Sequence, residues 1–216
     1  MNSLHSEYKK LLSTYGAQGW WPAESKFEVC VGAILTQNTA WSNVEKAIIQ
    51  LKTRKLLTEK AISTCELSTL QAAVRSSGFY RQKAARLKEF SCYVVEKYGT
   101  IEKWFAKKEN ENVNKLRAEL LALKGIGPET ADSIILYAAG KAKFVIDAYT
   151  HRWVAGKFGW RNLTYDELQK RFETALPREV QLFKEFHALI VRQGKEKRTK
   201  TKKRNNKENR KNGKKN

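Results

Sequence analysis

The chain has 216 residues, and its 42 Lys and Arg against 22 Asp and Glu give a formal net charge of +20. This excess points to a polyanionic partner, while 41% hydrophobic and 11% aromatic residues exclude a wholly disordered chain. The apolar runs at residues 29–35 and 134–140 are about seven residues long, well short of the roughly 18 that cross a bilayer, so no membrane span is expected.

The first residues of the chain bear on where the protein is located, and its cysteines and histidines bear on disulfides and metal sites. Residues 1–10 contain Glu7 and Lys9 and lack the apolar stretch of a secretory signal, so we expect an intracellular protein. The three cysteines and three histidines are scattered along the chain, and none has the spacing of metal ligands. This distribution predicts neither a disulfide framework nor a metal site, and it predicts surface or core positions for the histidines.

Most of the chain is predicted to be helical. Few stretches alternate polar and apolar residues, and only three prolines occur, so the body is expected to be all-α with short turns. Residues 29–35 fit a buried helix better than a buried strand, because their flanks are polar and the neighbouring patterns are helical. Ser68 with Gln71, and Thr164 with Glu167, have capping-box spacing, which predicts a helix start at each pair.

Residues 112–140 predict two helices joined by a tight turn. Apolar stripes at helical spacing flank the turn, which contains Gly125 and Gly127, and Pro128 is suited to the first position of the second helix. The free N–H groups at that helix start can bind a phosphate, and Lys124 can add a charge. Because an ordinary helical hairpin also uses glycine, the two glycines alone do not decide between these roles.

The last segment, residues 195–216, has its own composition. It carries 12 basic and 2 acidic side chains and no aliphatic or aromatic residue. Such a segment buries too little apolar surface to offset the entropy of ordering, so it is predicted to be a disordered basic tail. The tail fits either a solvated segment that aids solubility or a sequence-independent contact with phosphates.

The complete turn sequence is more specific than its glycines. Residues 123–131 resemble the helix-hairpin-helix of the endonuclease III-like DNA glycosylase superfamily, and Asp147, after the apolar residues 144–146, falls where that family carries its catalytic aspartate. Residues 34–39 resemble the helix end and loop that enter DNA. Residues 78–84 resemble the second glycine turn, which lies near the DNA backbone.

The resemblance covers residues 18 to 194, approximately, and implies a two-lobed all-α fold with a DNA groove between the lobes. The central multi-helix lobe is expected at residues 21–138 and contains the helix-hairpin-helix at residues 112–139. The second lobe is expected to form from both chain ends, residues 1–20 and 139–194.

The resemblance assigns catalysis to Asp147, which also fits a helix N-cap. An ionised carboxylate can stabilise the positive charge that develops as the N-glycosidic bond breaks, and it can orient or deprotonate water. Family members that nick the strand carry a lysine two residues beyond the second hairpin glycine, where this chain has Glu129. Because a carboxylate cannot form a Schiff base, we expect a glycosylase that leaves an abasic site, with Lys124 as the alternative amine.

Three tryptophans bear on which damaged base is removed. Trp20, Trp21 and Trp41 resemble aromatic residues of the family branch that removes 3-methyladenine. Aromatic faces suit a positively charged alkylated purine, which leaves as a neutral base without a general acid. Glu129 could line the same pocket, and packing between helices is the alternative role for the tryptophans.

The resemblance also implies which residues contact DNA. Gln37 is expected to fill the gap left by an extruded nucleotide, with Asn38 beside it, while a plain polar helix end is the alternative. The two glycine turns supply the remaining expected contacts: Gly78, Tyr80, Arg81, Lys83, Lys124, Gly125, Ile126, Gly127 and Thr130.

The resemblance bears on cofactors and partners as well. Many members hold an iron–sulfur cluster through four cysteines after the last helix, but no cysteine follows residues 183–193 here, so no cofactor is expected. The expected partner is double-stranded DNA with a damaged base, bound by a monomer in the cytoplasm or nucleoid if the source is bacterial or archaeal. Two alternatives stay open: a bifunctional glycosylase and AP lyase for oxidised pyrimidines, and a non-catalytic DNA-binding module.

Overall fold

The computed structural model describes residues 3–212 and, along the last helix, side chains as far as residue 199. This part of the chain contains no β-strand, in agreement with the predicted all-α class. Its α-helices are α1 (Leu4–Tyr15), α2 (Lys26–Leu35), α3 (Trp41–Thr53), α4 (Glu59–Thr64), α5 (Leu67–Ala73), α6 (Tyr80–Tyr98), α7 (Ile101–Lys107), α8 (Val113–Leu121), α9 (Pro128–Ser133), α10 (Ala148–Phe158), α11 (Tyr165–Ala175) and α12 (Val180–Asn212). A 3-10 turn spans Arg75–Ser77, and a π-helical turn, Ile134–Ala138, extends α9.

The chain divides into two compact units. The central unit is Trp21–Lys143, and the terminal unit combines Met1–Trp20 with Phe144–Asn216. The central unit therefore ends after Lys143 and not at the expected residue 138. The connection belongs to it because the Lys141 N–H donates to the Ile135 carbonyl at 3.0 Å and Lys141 Nζ donates to the Glu109 carbonyl at 2.6 Å.

Helix α2 is the core of the central unit. Every residue from Phe27 to Leu35 is buried, and the helix packs against α3, α6, α7, α9 and the π-helical turn. A helix surrounded on all sides needs apolar residues on all sides, which explains why residues 29–35 lack an amphipathic pattern. The buried-helix prediction for these residues is confirmed.

The two predicted capping boxes have different outcomes. At the start of α11, Thr164 and Glu167 form the complete reciprocal box. Ser68 lies inside α5, which begins at Leu67 with Glu66 as its N-cap, so the prediction of a helix start at Ser68 is wrong. The Lys88 side chain binds the carbonyl of Cys65, immediately before this cap.

The terminal unit is built on an aromatic core that fixes the segment before α10. The Phe144 ring stacks on Phe172 at 4.2 Å and meets Phe183 and Phe186 edge-on at 5.3 and 5.9 Å. Gln169 Nε2 donates to the Phe144 carbonyl at 2.6 Å. Residues 144–146 are thus buried and bonded, and the chain leaves the core at residue 147 in a fixed position.

Helix α12 continues well past the aromatic core. It reaches Asn212, so the segment predicted to be disordered from residue 195 is helical wherever the structure describes it; residues 213–216 lie outside the described residues. Composition explains the difference, because residues 195–212 contain no Gly or Pro and are rich in the strong helix formers Lys, Arg and Glu. The Tyr15 hydroxyl also binds Glu196 at 2.8 Å, which anchors the beginning of this extension.

Within residues 3–212, no helix has both the length and the apolar character that crossing a membrane requires.

Candidate functional site

The hairpin between α8 and α9 has the form that the glycines predict. Gly125 has a φ of +80°, and a Cβ atom there would lie 2.2 Å from Arg86 Nε, so only glycine fits. Gly127 is the N-cap of α9 and has no atom within 4 Å of its would-be Cβ, while Pro128 occupies the first helical position. The first glycine therefore makes the turn possible, and the second leaves open space for an approaching ligand.

Gln37 joins the loop after α2 to this hairpin. Its Nε2 donates to the Gly125 carbonyl and to Thr130 Oγ1, both at 2.9 Å, and its Oε1 accepts a 2.6 Å hydrogen bond from Arg86. All these atoms lie in the central unit, so the amide is a clamp between two segments. The sequence predicted Gln37 to fill a gap in DNA and Thr130 to contact DNA, but the structure uses both side chains internally.

Asn38, the next residue, points to solvent, whereas the Gln37 side chain is bonded inside the unit. It is exposed and has a φ of +54°, in the left-handed region that asparagine tolerates better than most residues. The clamp at Gln37 therefore holds a short loop whose tip presents Asn38 to solvent.

A second tip lies in the other glycine turn. Gly78 and Phe79 both have positive φ, +67° and +45°, and the Phe79 side chain is 64% exposed. Tyr80 follows, with the guanidinium groups of Arg75 and Arg81 at 5.8 and 5.6 Å from its ring centre. Sequence reasoning missed Phe79, although a large apolar residue directly after a turn glycine was the available signal.

Lys83 connects these two tips from inside the unit. Its side chain is 1% exposed, and Nζ donates to the Leu35 carbonyl at 2.8 Å and to the Ser77 carbonyl at 2.6 Å. Burial and the neighbouring Arg86 lower the pKa of Lys83 to about 8. A buried ammonium group cannot reach a phosphate, so the structure corrects the predicted DNA contact to a structural role, which is to hold both loops by their carbonyls.

The tryptophans divide between the two units. In the central unit, Trp21 meets Trp41 edge-on at 5.0 Å and Tyr137 at 5.3 Å, and these three rings form an aromatic cluster. Trp21 packs closely on α2, because a Cβ at Gly32 would lie 3.1 Å from its ring. Trp20 belongs to the terminal unit, where Lys195 Nζ lies 5.0 Å from its ring centre, and its predicted role in the base pocket stays a prediction. Tyr137 was not predicted.

Asp147 is the N-cap of α10 in the terminal unit. Its Oδ1 accepts hydrogen bonds from the Thr150 N–H at 2.7 Å and from the Thr150 hydroxyl at 2.9 Å. Its Oδ2 lies 3.8 Å from Nε2 of His187, and 15% of the side chain is exposed. Capping and a chemical role are compatible here, because the cap uses Oδ1.

Electrostatics keep this carboxylate ionised. Burial acts to raise the pKa of Asp147, but the imidazole of His187 and the two hydrogen bonds from Thr150 outweigh burial, so the pKa lies below its ordinary value. At neutral pH the group is therefore an anion that remains partly accessible.

The comparisons with known proteins cover the hairpin and the segment that contains Asp147. A family model for HhH-GPD superfamily base excision DNA repair proteins matches residues 31–178, which include the hairpin and Asp147. The chain belongs to the HhH-GPD superfamily. A Methanocaldococcus jannaschii protein that carries the provisional name of a DNA repair glycosylase is 48% identical over 190 residues, which are 87% of this chain and 85% of the relative.

Two further relatives of this HhH-GPD protein are informative. Endonuclease III of Thermotoga maritima is 30% identical over 159 residues, covering 71% of this chain and 67% of the relative. The crystal structure of H. pylori 3-methyladenine DNA glycosylase bound to 1,N6-ethenoadenine matches with a TM-score of 0.79 at 34% identity, over 90% of this chain and 98% of that chain. Both comparisons extend over most of the chain.

The roles predicted for three further hairpin residues stay predictions. Lys124 and Glu129 are exposed on either side of the turn, whereas Ile126 is buried beneath it. An iron–sulfur cluster does not fit this chain, because its three cysteines, Cys30, Cys65 and Cys92, are fewer than the four ligands required and all lie in the central unit.

Proposed function

We propose that this HhH-GPD protein is a monofunctional DNA glycosylase that hydrolyses the N-glycosidic bond of an alkylated purine, such as 3-methyladenine, and leaves an abasic site. The observation that carries the proposal is the ionised, partly exposed carboxylate of Asp147 at the N-terminus of α10. The protein is proposed to act as a monomer on double-stranded DNA.

Asp147 supplies the electrostatic part of the reaction. As the bond breaks, the sugar becomes positively charged, and a carboxylate about 4 Å away stabilises that charge by roughly 4 kcal/mol at an effective dielectric constant of about 20. Water then adds to the sugar carbon, and its proton leaves to the carboxylate or to solvent. The alkylated purine departs as a neutral base, so no acid is needed to protonate it.

The hairpin is proposed to bind the backbone of the DNA strand. The exposed turn at Gly127 and the first N–H groups of α9 offer hydrogen bonds to a phosphate, and the open space at Gly127 lets the phosphate approach the backbone. Lys124 is exposed beside the turn and adds a positive charge. Binding of this kind is independent of sequence and weakens with salt.

The two loop tips are proposed to stabilise the distorted duplex. Extruding a nucleotide costs a few kcal/mol of stacking, which inserted side chains recover in part. Asn38 and Phe79 are exposed at their tips, and the bases of both loops bind one Lys83 ammonium group. Asn38 and not Gln37 is therefore assigned the gap-filling role, and Phe79 is assigned to stack against bases.

The aromatic cluster is proposed to hold the extruded base. Trp21 and Trp41 are partly exposed, and ring faces bind a cationic purine more strongly than a neutral one. The similarity to a 3-methyladenine glycosylase supports the same substrate class. Packing explains part of the cluster, since Tyr137 is buried and Trp21 packs closely on α2 at Gly32.

Glu129 supports the monofunctional assignment, because its exposed carboxylate occupies the position where a strand-nicking relative would carry an amine. The competing function is a bifunctional glycosylase and lyase, favoured by the similarity to endonuclease III and by the exposed Lys124.

Purified protein tested on duplexes with one defined lesion separates these functions. We expect release of 3-methyladenine without strand cleavage and without an adduct after borohydride treatment. Release of an oxidised pyrimidine with a trapped adduct would establish the bifunctional enzyme. Binding to lesion duplexes without release of any base would leave a DNA-binding module and contradict the proposal.

A further inference from the structure

His187 lies on α12, beside the proposed catalytic carboxylate of Asp147. Its Nε2 is 3.8 Å from Asp147 Oδ2, and only 8% of its side chain is exposed. The Nε2 atom itself is fully covered by protein. With Nε2 covered and so little of the ring exposed, His187 is placed to act on Asp147 and not on a substrate directly.

The position of His187 is fixed by the aromatic core. Phe186, the preceding residue, packs against Tyr8, Phe144 and Trp153 at ring distances of 5.4, 5.9 and 5.5 Å. These contacts from three directions fix the rotation of α12 about its axis. The neighbouring imidazole is consequently aimed at Asp147 by the fold, independently of the hydrogen bonds that Asp147 makes.

Asp147 is held from two sides. Thr150 donates both of its hydrogen bonds to Oδ1, so these bonds do not restrain Oδ2 directly. At 3.8 Å the contact between Oδ2 and His187 is longer than a hydrogen bond, so it is an electrostatic and steric one. The imidazole thus limits where Oδ2 can go.

We propose that His187 is a positioning residue that holds Asp147 Oδ2 in the orientation needed to stabilise the charge on the sugar. This inference rests on the proposed function. Orientation matters because a displacement of about 1 Å at a reacting group can cost on the order of 100-fold in rate. The lowered pKa of Asp147, with His187 among its causes, agrees with an interaction between the two groups.

Two substitutions of equal polarity and different length test this role. His187→Gln places an amide near the position of Nε2 and should keep the single-turnover rate of base release within about fivefold of the wild type. His187→Asn is too short to reach Oδ2, and the rate should fall about 30-fold while the dissociation constant for lesion DNA stays within about threefold.

Gln193→Leu is the matched control. Gln193 lies on the same helix, six residues after His187, and accepts a 3.0 Å hydrogen bond from Trp153 Nε1 of α10. This variant should lose stability in thermal unfolding and keep the rate within about threefold, because it loosens α12 on α10 without releasing Oδ2.

The outcomes are distinct. A rate for His187→Asn within about threefold of the wild type would overturn the inference, and so would equal losses in His187→Asn, His187→Gln and Gln193→Leu, because they would indicate a general effect on stability. If the wild-type protein releases no base from any lesion, the proposed function fails, and the inference fails with it.

Discussion

Polar side chains around the hairpin of the central unit bind one another, whereas those around Asp147 in the terminal unit converge on a single carboxylate. Gln37, Arg86 and Thr130 form a closed network, and Lys83 is directed inward. Near this network, the glycine turn at Gly127, Lys124 and the loop tips are exposed. In the terminal unit, Thr150 and His187 both face Asp147.

Under the proposed function, this difference separates binding from catalysis. The proposed DNA contacts are backbone groups and loop tips held by an internal network, so single substitutions there should change affinity or stability. The proposed catalysis depends on the charge of Asp147, so a substitution that removes the charge but keeps the helix cap should alter mainly the rate. Variants in the two units can test whether affinity and stability depend on one set of residues and the rate of base release on another.

The largest effect is expected for Asp147→Asn. The amide keeps the N-cap but has no charge to stabilise the sugar cation, so base release should fall about 1,000-fold, or about 4 kcal/mol. Rapid-quench single turnover measures the rate, and fluorescence anisotropy should give an affinity within about threefold of the wild type. A parallel loss of affinity would mean that the same residue carries binding as well.

Gly125→Ala should destabilise the central unit by about 2 to 3 kcal/mol, because the residue needs a positive φ and the new methyl group would displace Arg86 from Gln37. Gly127→Ala is the control, since its backbone is extended and the site is open; stability should change by less than about 0.5 kcal/mol while affinity for DNA falls. Urea unfolding and anisotropy distinguish the two, and equal stability of both variants would contradict the scaffold role.

Acid should weaken the helices that support the hairpin. Burial acts to raise the pKa of Glu119 on α8, but hydrogen bonds from Lys97, Tyr93, Tyr98 and Lys108 lower it to about 2. A folded-state pKa below the ordinary value of 4.5 gives stability that is present above pH 4.5 and is lost as the pH falls toward 2. Glu119→Gln should therefore cost about 1 to 2 kcal/mol at pH 7 and much less at pH 3, measured by urea unfolding.

The smallest effects are expected at two adjacent residues, Asn38 and Gln37, which should differ in whether affinity or stability changes. Asn38→Gly should weaken binding to lesion DNA about tenfold with little change in stability, because the side chain is exposed and glycine adopts the positive φ of this position without strain. Gln37→Ala should instead lower the unfolding free energy by about 1 to 2 kcal/mol, since it leaves Arg86 and Thr130 without their hydrogen bonds to Gln37. Reversed results would restore the gap-filling role to Gln37.

Local patterns predicted the local structure well. The reciprocal cap at Thr164 and the hairpin glycines depend on neighbours within a few residues, and both are confirmed. The helical class and the burial of residues 29–35 followed from periodicity and composition. The catalytic role of Asp147 was predicted from the family resemblance alone and stays a prediction, whereas its expected place at a helix start is confirmed.

Long-range partners explain what the sequence did not reveal. Gln37 binds Thr130, 93 residues away, and Lys83 binds Leu35 across 48 residues, so neither role is visible in a local pattern. His187 is a lone histidine on an apolar helix, and only the fold brings it to Asp147. Phe79 was missed because exposure of an apolar side chain depends on the turn conformation around it.

The decisive experiment is a crystal structure of the Asp147→Asn protein on a duplex with one 3-methyladenine analogue. We expect an extruded nucleotide, with the side chain at position 147 within about 4 Å of the sugar carbon C1′. A base that remains stacked in the duplex, or a side chain at position 147 remote from C1′, would contradict it.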